Sequence, residues 1–270
     1  MLSEKPWKLM DFLVVMTLLS TLLLVGIFSN LLASTRAEVS VDAGSQAVNF
    51  TVYLCFYGTI LALVHLMVRG RGASWRTAFG FRSSREWSAL LMALGVTFIV
   101  LPIARYLGTL SVNLMDRVHL TAVPQQSVQM LQTNVSVSSQ VFLGVLAIMV
   151  APVTEEVLFR GILYPFVKQR GYPKAALLGS AILFGALHLN LMTFVPLTFL
   201  GLILAWLYDS TDNLVAPIFA HSLFNFDNFL QATLNWKWIV IDFATFALGG
   251  CLVGLVILFR QPNGGEERQI

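Results

Sequence analysis

The stretch A-P-V-T-E-E-V-L-F-R-G, residues 151–161, sets two adjacent carboxylates and an arginine directly after the apolar run V-F-L-G-V-L-A-I-M-V. Glu156 and Arg160 are four residues apart, so on a helix they share a face and can pair. Glu155 is turned about 100° from Glu156 by the helical repeat, which leaves it to address a cavity. Two further clusters follow. F-G-A-L-H puts His188 one turn beyond Phe184, and H-S-L-F-N puts His221 and Asn225 on one helical face. A carboxylate with an imidazole can take a proton from water as general base, and a second imidazole with an amide can donate to a developing oxyanion. Glu155, His188 and His221 are equally a three-ligand set for catalytic zinc (Zn2+), with the fourth position left for water. The residue types fit either scheme.

What must position these groups is a membrane. The 270 residues are 57% hydrophobic and 11% charged, with a mean hydropathy of +0.76, whereas soluble domains carry about a quarter charged residues. An all-α, polytopic membrane protein is expected. About eight apolar runs are long enough to cross the hydrocarbon: 10–33, 48–68, 87–108, 140–158, 174–191, 192–208, 213–230 and 238–259. Helices are the only plausible spans for such continuous runs. The first run is too long for a signal-peptide core and is read as a retained helix. Cys55 and Cys251 both fall inside spans and are expected to be packing residues. The long polar connection 111–139 can hold a short interfacial helix.

Basic residues orient the chain. The loop R-G-R-G-A-S-W-R-T-A-F-G-F-R-S-S-R-E carries Arg69, Arg71, Arg76, Arg82 and Arg85, while the loops 34–47 and 111–139 carry only Arg36 and Arg117. The arginine loop is therefore expected to be cytoplasmic. Lys5, Lys8, Lys168, Arg170, Lys174 and Arg260 fall on the same side, giving an N-in/C-in topology. Only the turn Asp209 to Asp212 lacks basic residues there. The positive balance is thus a topology signal, and no nucleic-acid partner is indicated.

Ionisable groups inside spans are costly unless they face a partner or a water-filled cavity, which makes them functional candidates. Depth tests whether the three clusters can meet. At a rise of about 1.5 Å per residue, Glu155 lies roughly 20 Å from Lys168, His188 roughly 21 Å from Lys174 and Asn225 roughly 20 Å from Asp212. Three helices thus deliver a carboxylate, two imidazoles and an amide to one layer. His65 and His119 are read as having no functional role. Asn190 and Arg105, near span ends, need only capping or snorkelling roles.

The ordered triplet E-E-V-L-F-R, F-G-A-L-H and H-S-L-F-N resembles the motifs EExxxR, FxxxH and HxxxN of the CPBP family, also called CAAX protease or Abi proteins. The resemblance covers about residues 140–230, and G-L-I-L-A-W-L-Y-D-S-T-D-N-L-V-A-P-I-F-A-H looks like that family's last core helices. Here the inner turn is acidic where many members carry a basic residue, a departure that bears on substrate approach. The resemblance implies an intramembrane endopeptidase of eight-helix type. By it, Glu155 and His188 activate water, His221 and Asn225 steady the oxyanion, and Glu156 with Arg160 support the site. Glu155, His188 and His221 become metal ligands only if a zinc is bound, and the cofactor is left open.

Three regions are expected: 1–139, an N-terminal three-helix membrane region with an outer loop; 140–230, the catalytic core; and 231–270, a last transmembrane helix with a cytoplasmic tail. The motifs H-E-x-x-H, G-x-G-D and G-x-S-G are absent, so those protease types lose support. The expected partners are the lipid bilayer and a peptide or membrane-protein substrate, prenylated CAAX-type tails included. The expected location is the plasma membrane, with the active site in the cytoplasmic half. Two other classes use the same polar layer: a non-catalytic binding or immunity protein, and a proton-coupled transporter.

Overall fold

The computed structural model describes residues 5–35, 43–81, 86–132, 136–234 and 239–259. Every regular element among them is helical. The order is α1 (Leu9–Thr35), α2 (Ala43–Gly70), α3 (Trp75–Phe79), α4 (Glu86–Arg117), α5 (Gln126–Gln132), α6 (Val137–Lys168), α7 (Pro173–Leu187), α8 (Leu191–Thr211), α9 (Val215–Leu234) and α10 (Ile239–Phe259). The expected spans overlap α1, α2, α4 and α6 to α10. By length and hydropathy, Leu9–Ile27, Thr51–Gly70, Trp87–Arg117, Val137–Lys168 and Leu191–Thr211 are able to cross a membrane, while Pro173–Leu187 and Thr245–Ile257 are shorter apolar helices. The chain is an integral membrane protein. α9 is more polar because it carries His221, Asn225, Asp227, Asn228 and Gln231.

α4 is the mast of the bundle, packing along α8, α9 and α10, and α7 packs on α8. The α4–α10 crossing is close because Gly95 meets Gly249, where a Cβ on Gly249 would stand 2.5 Å from the Gly95 carbonyl oxygen. Small residues of this kind let helix backbones approach in lipid, where no hydrophobic force draws helices together. α6 is not a uniform helix. It widens into π-turns at Leu146–Val150 and Val157–Leu163, a distortion often found at functional sites.

One end of the bundle is tied by charge. Lys5 Nζ reaches Asp212 at 2.9 Å, Lys168 pairs with Asp209, and Arg71 grips both oxygens of Asp11 at 2.9 Å. The acidic turn 209–212 is therefore neutralised by lysines from distant sequence. Arg36, Arg82, Arg85 and Arg260 lie outside the described residues. Trp7, only 6% exposed, donates its indole N–H to the Gly161 carbonyl at 2.7 Å. α3 is fixed at its start by a Ser74–Thr77 capping box and ends at Gly80 with φ of 75°. Leu214 N–H then donates to the Phe79 carbonyl at 3.0 Å.

Several expectations change. Cys55 and Cys251 are exposed on the flanks of their helices, so they present small apolar surfaces outward instead of packing inside. Arg105 does not snorkel but pairs with Asp227 of α9 at 2.7 Å, because α4 and α9 lie side by side. The expected span 174–191 ends early: α7 stops at Leu187, His188 is its C-cap, and Leu189 takes φ of 50°. Asn190 caps α8 as expected, accepting from Thr193 N–H at 3.0 Å. The short helix expected in the long connection is α5.

Gly80 tests the tied end. A Cβ there would sit 1.9 Å from the Asp212 carbonyl oxygen in a left-handed conformation. Gly80→Ala is expected to cost roughly 2–5 kcal/mol, adding left-handed strain to overpacking, read as a lower midpoint of thermal unfolding in detergent. An unchanged midpoint would contradict this packing.

Candidate active site

The centre of the site is the Glu156 carboxylate, which has no exposed surface. Its Oε1 accepts from Arg160 Nη1 at 2.8 Å and from His221 Nδ1 at 2.9 Å. The arginine comes from one turn further along α6, as the i,i+4 spacing requires, and the histidine from α9. Burying a charge is tolerable only when it is paired and hydrogen-bonded. Arg160, also fully buried, spends Nη2 on the Gly201 carbonyl of α8 at 2.9 Å, and its guanidinium lies 4.6 Å from the Phe184 ring centroid. One ion pair thereby ties α6 to α7, α8 and α9.

Gly201 allows this reach. A Cβ there would stand 3.0 Å from Ala181 Cα, so a larger residue would part α7 from α8 and withdraw the carbonyl from Arg160. Phe184 packs edge-on to His188 on one side, at 5.1 Å between ring centroids, and to His221 on the other, at 5.4 Å. Its own carbonyl is 2.8 Å from His188 Nδ1. A carbonyl can only accept, so Nδ1 carries the proton, and in the neutral ring Nε2 is then the acceptor. By the same logic His221 donates from Nδ1 to Glu156, which leaves its Nε2 for another partner.

Glu155 lies near that nitrogen without bonding it. Its Oε2 lies 4.0 Å from His221 Nε2, and the side chain keeps 20% of its surface open. Oε2 itself is buried with no hydrogen-bond partner. The sequence expectation that Glu156 pairs with Arg160 while Glu155 stays available matches this geometry. Asn225 is 2.8 Å from the Ala147 carbonyl through Nδ2, which places it beside the first π-turn of α6. All six expected residues therefore lie on α6, the α7–α8 break and α9. Among the described residues no three His, Cys, Asp or Glu side chains gather closely enough to hold a metal ion. The set Glu155, His188 and His221 does not fit zinc as placed.

The sequence reading missed four participants. Gly201 and Ala147 act through backbone carbonyls, which side-chain motifs do not advertise. Tyr57 of α2 lies within electrostatic range of Glu155, on a helix that packs against the Ala151–Glu156 turn. Trp7 supports the second π-turn from outside the motif region.

Comparison with known proteins bears on the same segment. Residues 137–226 match the family model described as type II CAAX prenyl endopeptidase Rce1-like. The matched segment is thus similar to the CPBP, or CAAX protease, family. A curated relative, "Putative membrane peptidase YdiL" of Bacillus subtilis (strain 168), is 34% identical over 76 residues. That alignment covers 28% of this chain and 31% of the relative, so the likeness is to part of each protein. No solved structure gives a significant match. The matched segment runs from α6 into α9 and contains Glu155, Glu156, Arg160, His188, His221 and Asn225.

Arg160→Met would strand the Glu156 charge and is expected to cost about 3–5 kcal/mol, measured as loss of thermal stability in detergent. Adding Glu156→Gln to that variant removes the stranded charge and is expected to recover part of the loss. A double variant no more stable than the single would contradict the pairing.

Proposed function

We propose that this protein is an intramembrane endopeptidase that hydrolyses a peptide bond of a membrane-associated or CAAX-type protein or peptide, without a metal. The observation that carries the reading is Glu155 Oε2, a buried carboxylate oxygen with no hydrogen-bond partner, beside a histidine whose opposite nitrogen is committed to Glu156. Such an oxygen suits a general base toward water. Glu155 takes one water proton while His188 Nε2 orients the water, and the hydroxide oxygen bonds to the scissile carbonyl carbon. His221, as an imidazolium held by Glu156, and Asn225 donate N–H groups to the resulting oxyanion. Collapse breaks the C–N bond, and the protonated Glu155 returns its proton to the leaving amine.

Support for the membrane setting comes from the helices able to cross a bilayer. The reading takes eight spans, both termini on the cytoplasmic side with the basic residues, and a site in the cytoplasmic half of the plasma membrane. Residues 140–230 form the catalytic core, 1–139 the N-terminal region beside it, and 231–270 the last span and tail. Because Lys5 and Lys168 neutralise Asp212 and Asp209, the acidic inner turn does not repel an acidic substrate as its sequence suggests.

Purified protein with a quenched peptide pool tests the proposal. Glu155→Ala is expected to lower cleavage by about 10²–10⁴-fold, the usual worth of a general base, while accumulating normally. Cleavage by the wild type is expected to survive a strong chelator. Full activity in Glu155→Ala would sink the reading, and chelator-sensitive cleavage restored by zinc would sink its metal-free form.

A further inference from the structure

Asn225 is anchored to a carbonyl that an ordinary helix would not leave free. In an α-helix the Ala147 carbonyl accepts from the N–H four residues on, at Ala151. Here Ala151 N–H instead bonds the Leu146 carbonyl, five residues back. Continuing that wider register, the donor for Ala147 would be residue 152, which is proline and has no N–H. Both intrahelical donors are therefore lost to Ala147, one to the π-turn and one to Pro152. An unpaired carbonyl inside a membrane protein is costly, and Asn225 Nδ2 of α9 supplies the missing donor at 2.8 Å.

The consequence concerns which end of the amide faces the site. Asn225 has an oxygen that accepts and a nitrogen with two N–H groups. Against a carbonyl only the nitrogen end is favourable, so the Ala147 oxygen holds Nδ2 toward α6. One N–H satisfies Ala147 and the second remains to donate. We propose that Pro152 is a positioning residue for the reaction: by withholding an N–H it keeps the Ala147 carbonyl free to orient the Asn225 amide as an oxyanion donor. The catalytic half of this rests on the endopeptidase reading, whereas the anchoring half does not.

Two measurements separate those halves. Pro152→Ala restores an N–H to α6, and whether the helix keeps its π-turn or relaxes to α, Ala147 regains an intrahelical partner. Thermal unfolding of wild type, Pro152→Ala, Asn225→Ala and the double variant then forms a cycle that needs no activity. Asn225→Ala is expected to lower the melting temperature by several degrees in the wild type, where it strands the carbonyl, and by less than half as much beside Pro152→Ala. Additive effects would overturn the anchor, and Asn225→Ser replaces the alanine variant if the latter does not accumulate. In cleavage, Pro152→Ala is expected to reduce kcat about 10- to 100-fold with KM nearly unchanged, approaching the loss of one oxyanion donor. It should do nothing further in the Asn225→Ala background. Full kcat in Pro152→Ala, or an equal loss in both backgrounds, would overturn the positioning role. Absence of cleavage by the wild type strikes the endopeptidase reading, and the thermal cycle still decides the anchor.

Discussion

The structure depends on keeping one charge buried. Glu156 sits with no exposed surface and holds Arg160 and His221 through a single oxygen. Removing such a carboxylate from water costs several kcal/mol, and only close, well-aligned partners offset it. Arg160 comes from the same helix but His221 comes from α9, so the charge dictates contacts among helices that lipid gives no other reason to associate. Arg160 in turn needs a second acceptor, found at Gly201, and the absence of a side chain there lets α7 lie against α8. His188 and His221 then flank Phe184 at similar separations. The polar layer is thus a consequence of satisfying one ion pair rather than a set of independent insertions.

α6 shows how backbone irregularity serves the same end. A regular helix pairs all its own carbonyls and offers none to neighbours. Proline and π-turns release a few, and in a bilayer each released carbonyl must find a donor. At the second π-turn the position four residues after Gly161 is Pro165, which has no N–H, and the Trp7 indole bonds Gly161. Both released carbonyls recruit a donor from a different part of the chain. The distortions act as specific attachment points.

The sequence made the local half of the site readable. Glu156 with Arg160, and His221 with Asn225, are four apart, and helical repeat alone puts each pair on one face. It also made Glu155 distinguishable from Glu156 through the angle between them. The second partner of Glu156 was not readable, since His221 lies 65 residues away and periodicity carries no information about which helices touch. The same limit hid Arg105 with Asp227 and Lys5 with Asp212. His188 was placed inside a span because the apolar run continues past it. The left-handed Leu189 and the Asn190 cap ended the helix there by local backbone chemistry that hydropathy does not register. The thiols were misjudged for a related reason: in a membrane the outer face of a helix is as apolar as its interior, so hydrophobicity does not tell packing from lipid exposure.

The strap formed by residues 5–7 gives the fold a temporal order. Lys5 and Trp7 are made well before their partners, since Asp212 and Gly161 follow 207 and 154 positions later. At a synthesis rate of about 5–20 residues per second, the wait for Asp212 is on the order of ten to forty seconds. Until then the Lys5–Asp212 contact cannot close. The closing of this end of the bundle therefore belongs to a late stage of assembly, when the ribosome has already delivered α6 and α7 and is about to make α9. Residues 5–7 become a lock set by a later part of the chain, and a polypeptide arrested before Asp212 leaves that lock open for membrane quality control to find.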